Sequence, residues 1–311
     1  MMEKFVADAV ALWPLDPIRV NLAATRENHV YRVECANGIF ALRFHRPGYR
    51  SDDELRSELL WMRAAADGGL NVPSPLPSTS GVFLHVLDNR QVDVLSWLPG
   101  RPLGANGVPL DIDNREQVFH DIGREMARLH EVSDRWQPPV EFTRWSWDRL
   151  GLLGEQPVWD RFWDNPTLAP EERSLLIQVR EAANRQLAEL EDELDYGLIH
   201  ADLLRENVIL DGERVQLIDF DDGGYGFRLF DVATTLLKNL QEPDYKVLES
   251  ALLRGYRSVR PMDTQHLGLF LLLRSLTYVG WIIQRLNEDN AEDRNRRNVG
   301  IACKLARDFL G

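Results

Sequence analysis

Two strand-like apolar runs, HVYRVEC (29–35) and IFALRFH (39–45), flank Ala36-Asn37-Gly38. Asn-Gly between such runs predicts a β-hairpin. The pattern then changes. In SDDELRSELLWMRAAADGG (51–69), Leu55, Leu59 and Met62 repeat at helical spacing, Ser51 and Glu54 form a capping-box pattern, and Gly68-Gly69 ends the run. Two further strand-like runs, GVFLHVL (81–87) and QVDVLSWL (91–98), are joined by Asp88-Asn89-Arg90. The order strand, strand, helix, strand, strand predicts a small antiparallel sheet with one inserted helix.

PGRPLGANGVP (99–109) is rich in proline and glycine and reads as a boundary. Beyond it the pattern is mostly helical. Residues 114–133 place Val118, Ile122, Met126 and Leu129 on one face. Residues 170–194 place Leu176, Val179, Ala183, Leu187, Leu190 and Leu194 in register, and 230–258 and 263–286 add more helix. LGLFLLLRSLTYVGWII (267–283) is the most apolar stretch, but it is short for a membrane span and carries Arg274 at its middle, so a buried helix is expected.

Composition narrows the function classes. The 311 residues carry 44% hydrophobic and 27% charged side chains, the pattern of a globular chain. A formal charge of −13 repels phosphate backbones and argues against nucleic acid as a partner. Two cysteines, Cys35 and Cys303, make neither a disulfide framework nor a metal cluster and fit the cytoplasm. MMEKFVADAV shows no signal-peptide pattern, and no membrane partner is expected. Oligomeric state is not encoded in any legible pattern.

The candidate chemistry lies in HADLLREN (200–207) and LIDFDDGG (217–224). Between them VIL (208–210) and VQLI (215–218) flank the turn signal Asp211-Gly212-Glu213-Arg214. Folded as an antiparallel hairpin, Leu210 faces Val215 and Asn207 faces Ile218. Asn207 then lies beside Asp219 at the open end. An amide oxygen and a carboxylate so placed suit a hard cation such as Mg²⁺, which takes few protein ligands together with water and phosphate. Asp202 lies in the loop just before.

H-x-D-x-x-x-x-N, a hairpin and then D-F-D resemble the catalytic half of the eukaryotic-like kinase superfamily, in its aminoglycoside phosphotransferase and choline kinase branch. The resemblance implies a bilobal, protein-kinase-like α+β fold, with a nucleotide-binding lobe over 1–95, a hinge over 96–103 and a helical catalytic and substrate lobe over 104–311. It implies ATP and Mg²⁺, with Asp202 as catalytic base and Asn207 and Asp219 as metal ligands. His200 would brace the loop, and Asp231 in RLFDVA (228–233) would stabilise it. Leu204 stands where relatives carry a basic residue two positions after the base. Asp221 replaces the glycine of D-F-G and, with Asp222, would serve the metal or the substrate.

The resemblance also makes demands of the first lobe. A basic strand residue must pair with a helix glutamate. Arg43 and Glu58 are the candidates, with Arg in place of the family's usual Lys. Glu58 sits at the edge of its helix's apolar face and so needs a donor. The phosphate-covering loop would be ATRENHVY (24–31), with Asn28 offering a donor. Backbone groups near Ser96 and Leu98 would meet the adenine.

HRPGYRS (45–51) and FDDGGYGFRLFD (220–231) are similar to a bacterial subgroup of stress-response protein kinases and type II homoserine kinases. The expected activity is therefore transfer of the γ-phosphate of Mg-ATP to a hydroxyl of a small metabolite, an amino alcohol or aminoglycoside-like acceptor. A protein Ser/Thr acceptor is the alternative, and a catalytically weak nucleotide-binding regulator is the alternative of another class.

Overall fold

The structure is a computed structural model that describes residues 2–25, 28–105 and 107–311. In chain order the elements are α1 (Met2–Val10), β1 (Pro17–Thr25), β2 (His29–Cys35), β3 (Gly38–Phe44), α2 (Asp52–Asp67), β4 (Leu84–Leu87) and β5 (Arg90–Ser96). There follow β6 (Arg101–Pro102), α3 (Arg115–Arg135), β7 (Ser146–Trp147), α4 (Arg149–Leu153), α5 (Pro170–Leu190), β8 (Tyr196–Ile199), β9 (Val208–Asp211), β10 (Arg214–Leu217) and β11 (Gly224–Phe227). The chain ends with α6 (Arg228–Leu237), α7 (Tyr245–Arg257), α8 (Leu267–Trp281) and α9 (Ala291–Leu310).

These elements form two compact units. The first comprises Met1–Leu103, Val132–Arg144 and Asn207–Asp221; the second comprises Gly104–Glu131, Trp145–Glu206 and Asp222–Gly311. The first unit holds a five-stranded sheet of order β1-β2-β3-β5-β4, antiparallel throughout. Val33, Leu42, Phe44, Val92 and Val94 of this sheet pack with Val6, Ala9, Val10 and Trp13 from α1 and its end. Both hairpins fall where the turn signals put them, with Asp88 and Asn89 at φ 46° and 61°, the left-handed values a tight two-residue turn demands. Ser51 caps α2 through the reciprocal bonds of a capping box with Glu54.

The first unit also contains β9 and β10, paired as Leu210 with Val215 and extended by a bond from the Ile218 amide to the Asn207 carbonyl at 3.0 Å. β6 adds to β9. The approach is close: a Cβ on Gly100, whose φ is 116°, would stand 2.3 Å from the Leu210 carbonyl oxygen, so only glycine fits.

The second unit is helical, with a three-stranded sheet β7-β11-β8 inside it. Its helix α8 is buried over Leu269–Gly280, as a core helix should be.

The structure differs from the sequence expectations in several places. The strand β1 carries no clean alternation, because as an edge strand it leaves Ile18 and Leu22 exposed. The helix expected over 230–258 is two helices, α6 and α7, separated by a turn containing Pro243, whose ring cannot continue a helix. α5 ends at Leu190, so Leu194 lies in the following turn. α9 is not among the expected helices, because its buried face is carried largely by small residues, among them Ala302, Cys303 and Ala306, which give a weak apolar signal.

Candidate active site

In the first unit, strand register puts Arg43 opposite Asp93 on the neighbouring strand. The guanidinium donates Nε and Nη2 to the two Asp93 oxygens at 2.8 and 2.9 Å, and Nη1 to Glu58 of α2 at 3.0 Å. The fork geometry of arginine makes this three-bond arrangement available, and it leaves one N–H on each terminal nitrogen outside these bonds. All three side chains are buried. Burial alone would raise the Asp93 carboxyl, but Arg43 and His45, whose Nε2 lies 2.5 Å from Asp93, hold it down at about 2. Burial would strip Arg43 of its charge, and the two carboxylates instead keep it fully protonated. The expected Arg43–Glu58 pair is therefore present, with Asp93 as a second carboxylate. The signal for Asp93 was a lone charge at an inward position of QVDVLSWL.

Arg144 serves the segment after Asp219. It is buried, lies 3.8 Å from Glu58, and donates to the carbonyls of Glu54 (3.1 Å), Phe220 (3.0 Å) and Asp221 (2.5 Å). One guanidinium thus ties the D-F-D segment to α2. Phe220 adds an edge-to-face contact with Trp61 of α2 at 5.0 Å. Asp219, at the end of the hairpin, is exposed and takes a φ of 68°. Asn207 is buried and is brought alongside by the Ile218–Asn207 backbone bond. Asp221 accepts from Arg50 Nε at 3.4 Å.

Of the other expected nucleotide contacts, Asn28 Oδ1 accepts the Arg46 amide at 3.3 Å. Arg26 and Glu27, at the tip of the expected phosphate loop, lie outside the described residues, as does Asn106 of the proline-rich boundary. The Ser96 amide donates to the Ser74 carbonyl and its hydroxyl accepts from the Ser74 amide, both at 2.9 Å. Leu98 is half-buried just beyond.

In the second unit, β8 delivers HADLLREN. His200 is fully buried, its ring accepting the Asp202 amide at 3.3 Å. Asp231, on the first turn of α6, accepts the amides of His200 (2.8 Å) and Ala201 (2.6 Å). Its other partner is His130 of α3 at 3.0 Å. Burial, reinforced by Arg228, pushes His130 down to about 4, so its ring is neutral, donating from Nε2 to Asp231 and accepting at Nδ1 from the Tyr256 hydroxyl at 2.7 Å. Burial works against the Asp231 charge, but the bond from His130 and the nearby His200 outweigh it and lower the carboxyl. Arg205 anchors the far side of the loop through Asn239 (2.9 Å), the Val108 carbonyl (2.6 Å) and Glu242 (2.6 Å).

The Asp202 carboxylate meets Arg274 of α8, Nη2 to Oδ1 at 2.9 Å. The Asp222 carbonyl accepts from the indoles of Trp145 (3.2 Å) and Trp147 (2.9 Å). Sequence reasoning missed Asp93, Arg144, His130 and the role of Arg274. A charge at the centre of the most apolar run, which must find a partner when buried, was the signal for Arg274.

Among the described residues no group of three or more His, Cys, Asp and Glu side chains could hold a metal by itself. Asn207 and Asp219 nevertheless fit Mg²⁺: both are hard oxygen donors at one hairpin end, and Mg²⁺ keeps the rest of its shell in water and phosphate.

Comparison with known proteins adds the family. Residues 20–262 match the phosphotransferase enzyme family (APH). Amicoumacin kinase of Bacillus subtilis is 26% identical over 301 residues, covering 91% of this chain and 85% of that protein. Homoserine kinase of Sinorhizobium fredii is 29% identical over 270 residues, covering 84% and 76%. The solved structure of a microcompartment-associated aminopropanol kinase superposes with a TM-score of 0.85 at 28% identity, over 99% of this chain and 97% of that one. The fold is the bilobal kinase-like α+β fold. The family match takes in Arg43, Glu58, Asp202, Asn207, Asp219 and Asp231 alike, and the chain belongs to the phosphotransferase enzyme family.

Proposed function

We propose that this enzyme transfers the γ-phosphate of Mg-ATP to a hydroxyl of a small metabolite, an amino alcohol or aminoglycoside-like compound. The carrying observation is the Asp202 loop. Its backbone is clamped by Asp231 and Arg205, and its carboxylate is oriented by Arg274. So fixed an acid fits a base that accepts the acceptor's hydroxyl proton as the oxygen attacks phosphorus. Such transfer is chiefly positioning and charge neutralisation.

In this reading residues 1–95 form the nucleotide lobe, 96–103 the hinge and 104–311 the catalytic and substrate lobe. Asn207 and Asp219 would hold Mg²⁺, which when bound neutralises phosphate charge. Arg43, fixed by Glu58 and Asp93, would direct its remaining N–H groups to phosphate oxygens. Asn28 would steady the phosphate loop, and backbone groups at Ser96 and Leu98 would border the adenine. His200 and Asp231 would shape the catalytic loop. Asp221, already met by Arg50, and Asp222 would act through loop position. Unpaired Cys35 and Cys303 suit the reducing cytoplasm.

A small-molecule acceptor is favoured because the relatives named above are kinases of small molecules. The test is transfer of labelled γ-phosphate from Mg-ATP into a cell extract separated into metabolite and protein fractions, with Asp202→Asn as control. Label in the metabolite fraction, absent from the control, is the expected result. Label in protein would replace it with the protein Ser/Thr kinase reading. ATP binding without transfer to either fraction would leave a nucleotide-binding regulator.

A further inference from the structure

The guanidinium of Arg274 is fully buried against three rings, its Cζ 4.4 Å from the centre of Tyr278, 4.5 Å from Trp159 and 5.2 Å from Phe230. An aromatic enclosure of this kind takes up an organic ammonium when a ligand brings one. Here the chain fills it with its own cation. Nη2 reaches Asp202 and the Tyr278 hydroxyl, both at 2.9 Å, while Nε and Nη1 have no hydrogen-bond partner among the described residues.

Lys238, at the end of α6, lies on the same tyrosine, its Nζ 3.6 Å from the ring centre. Among the described residues its ammonium makes no hydrogen bond or ion pair. Burial and Arg274 push Lys238 from 10.5 to about 7; Arg297 acts in the same direction, and Asp202 and Glu206 oppose it. An anion brought beside this ammonium would favour its charged form.

We propose that the acceptor carries a carboxylate, and that Lys238 binds it with the fixed charge of Arg274 behind. Within that reading the acceptor is then a hydroxy amino acid rather than an amino alcohol lacking an acidic group. The inference rests on the kinase reading above, in which Asp202 faces the acceptor hydroxyl. It follows from two features: the aromatic enclosure is filled by Arg274, and the neighbouring ammonium, seated on Tyr278, makes no hydrogen bond or ion pair among the described residues. A nucleotide phosphate is the other possible source of an anion, and the experiment separates the two.

The experiment measures initial rates with Mg-ATP for two matched pairs, L-homoserine against 3-aminopropan-1-ol and L-threonine against 1-aminopropan-2-ol. Within each pair the members differ only by the carboxylate. Wild type is expected to favour the acid of at least one pair by roughly ten- to a hundred-fold in kcat/KM, the effect of one hydrogen bond to a charged group. Lys238→Met should bring that ratio close to one through KM, Lys238→Arg should restore part of it, and the nucleotide Kd should stay the same. An equal or reversed preference in wild type, or one that survives in Lys238→Met, overturns the proposal. So does a loss of nucleotide affinity with the preference intact, which would assign Lys238 to a phosphate. If none of the four compounds is phosphorylated, the kinase reading is what fails for these acceptors. Calorimetric titration with the two amino acids then decides: binding that needs Lys238 supports the carboxylate site, and binding that does not, or none, overturns it.

Discussion

Asp231 holds Ala201 in a left-handed turn: its carboxylate accepts the Ala201 amide at 2.6 Å, and Ala201 has a φ of 62°. A residue with a Cβ resists that conformation by about 1–2 kcal/mol, so the turn persists only where its surroundings enforce it. The same carboxylate also takes the His200 amide. Asp202 follows directly, and its aim is set by these two bonds before its own side chain makes any contact.

Replacing Asp231 with Asn should therefore damage both stability and turnover. An amide presents one acceptor oxygen and an NH₂ that confronts a backbone N–H, so at least one of the three buried donors, the His200 and Ala201 amides and His130 Nε2, is left unsatisfied. The expected loss is about 3 kcal/mol, read as a lower urea midpoint at unchanged slope. Turnover should fall by roughly a hundred-fold or more, as catalytic geometry loosens. A variant with the wild-type midpoint would show that Asp231 does not hold the loop.

His130 makes the same cluster sensitive to acid. Its ordinary value is 6.5, and burial takes it to about 4 in the fold. The unfolded chain binds a proton below 6.5 that the folded protein refuses until about 4. This contribution to stability is therefore complete above 6.5 and is lost as pH falls from 6.5 to 4, by about 3 kcal/mol. Urea unfolding across that range should show the loss in wild type and a much flatter dependence in His130→Gln. Equal slopes would remove His130 from the account.

How far the sequence disclosed this site follows from the range of each contact. The hairpin at 208–217 was legible because its two strands and turn lie within one short stretch, which fixes Asn207 opposite Ile218 by register alone. Glu58 was legible as a carboxylate at the edge of an apolar helix face that needed a donor. Asp93 sits fifty residues from Arg43, and Arg274 seventy-two from Asp202. No local pattern pairs residues so distant. What the sequence does display at both is a charge inside an apolar run, which announces a buried partner without naming it. β1 escaped notice for the opposite reason: an edge strand with exposed side chains has little alternation to read.

Asp202 and Asp219 should separate cleanly in binding and rate. Asp202→Asn is expected to retain Mg-ATP affinity while turnover falls by several orders of magnitude, because a group that acts in the transition state costs rate rather than ground-state binding when removed. Asp219→Ala should lose the Mg²⁺-dependent part of nucleotide binding in a fluorescence or calorimetric titration. Near-wild-type turnover in the first variant, or an unchanged titration in the second, would reject the corresponding role.

The Arg43 network gives the last prediction, because two substitutions at one site should differ by a stated amount. Asp93→Asn keeps the size of the side chain but withdraws the charge that meets Arg43 through two parallel bonds. It leaves a buried guanidinium with Glu58 alone, and removing one partner of a buried pair costs about 3–5 kcal/mol. Arg43→Lys keeps the charge but replaces a planar fork with a single ammonium. Such a group cannot satisfy both Asp93 oxygens and Glu58 in the same geometry, and the expected cost is about 1–3 kcal/mol. The order matters more than either value. Asp93→Asn should have the lower urea midpoint, while Arg43→Lys should bind nucleotide more weakly than its modest instability would explain. If Arg43→Lys proves the less stable of the two, shape rather than charge holds the network. If its nucleotide affinity is intact, Arg43 supports the fold without touching phosphate.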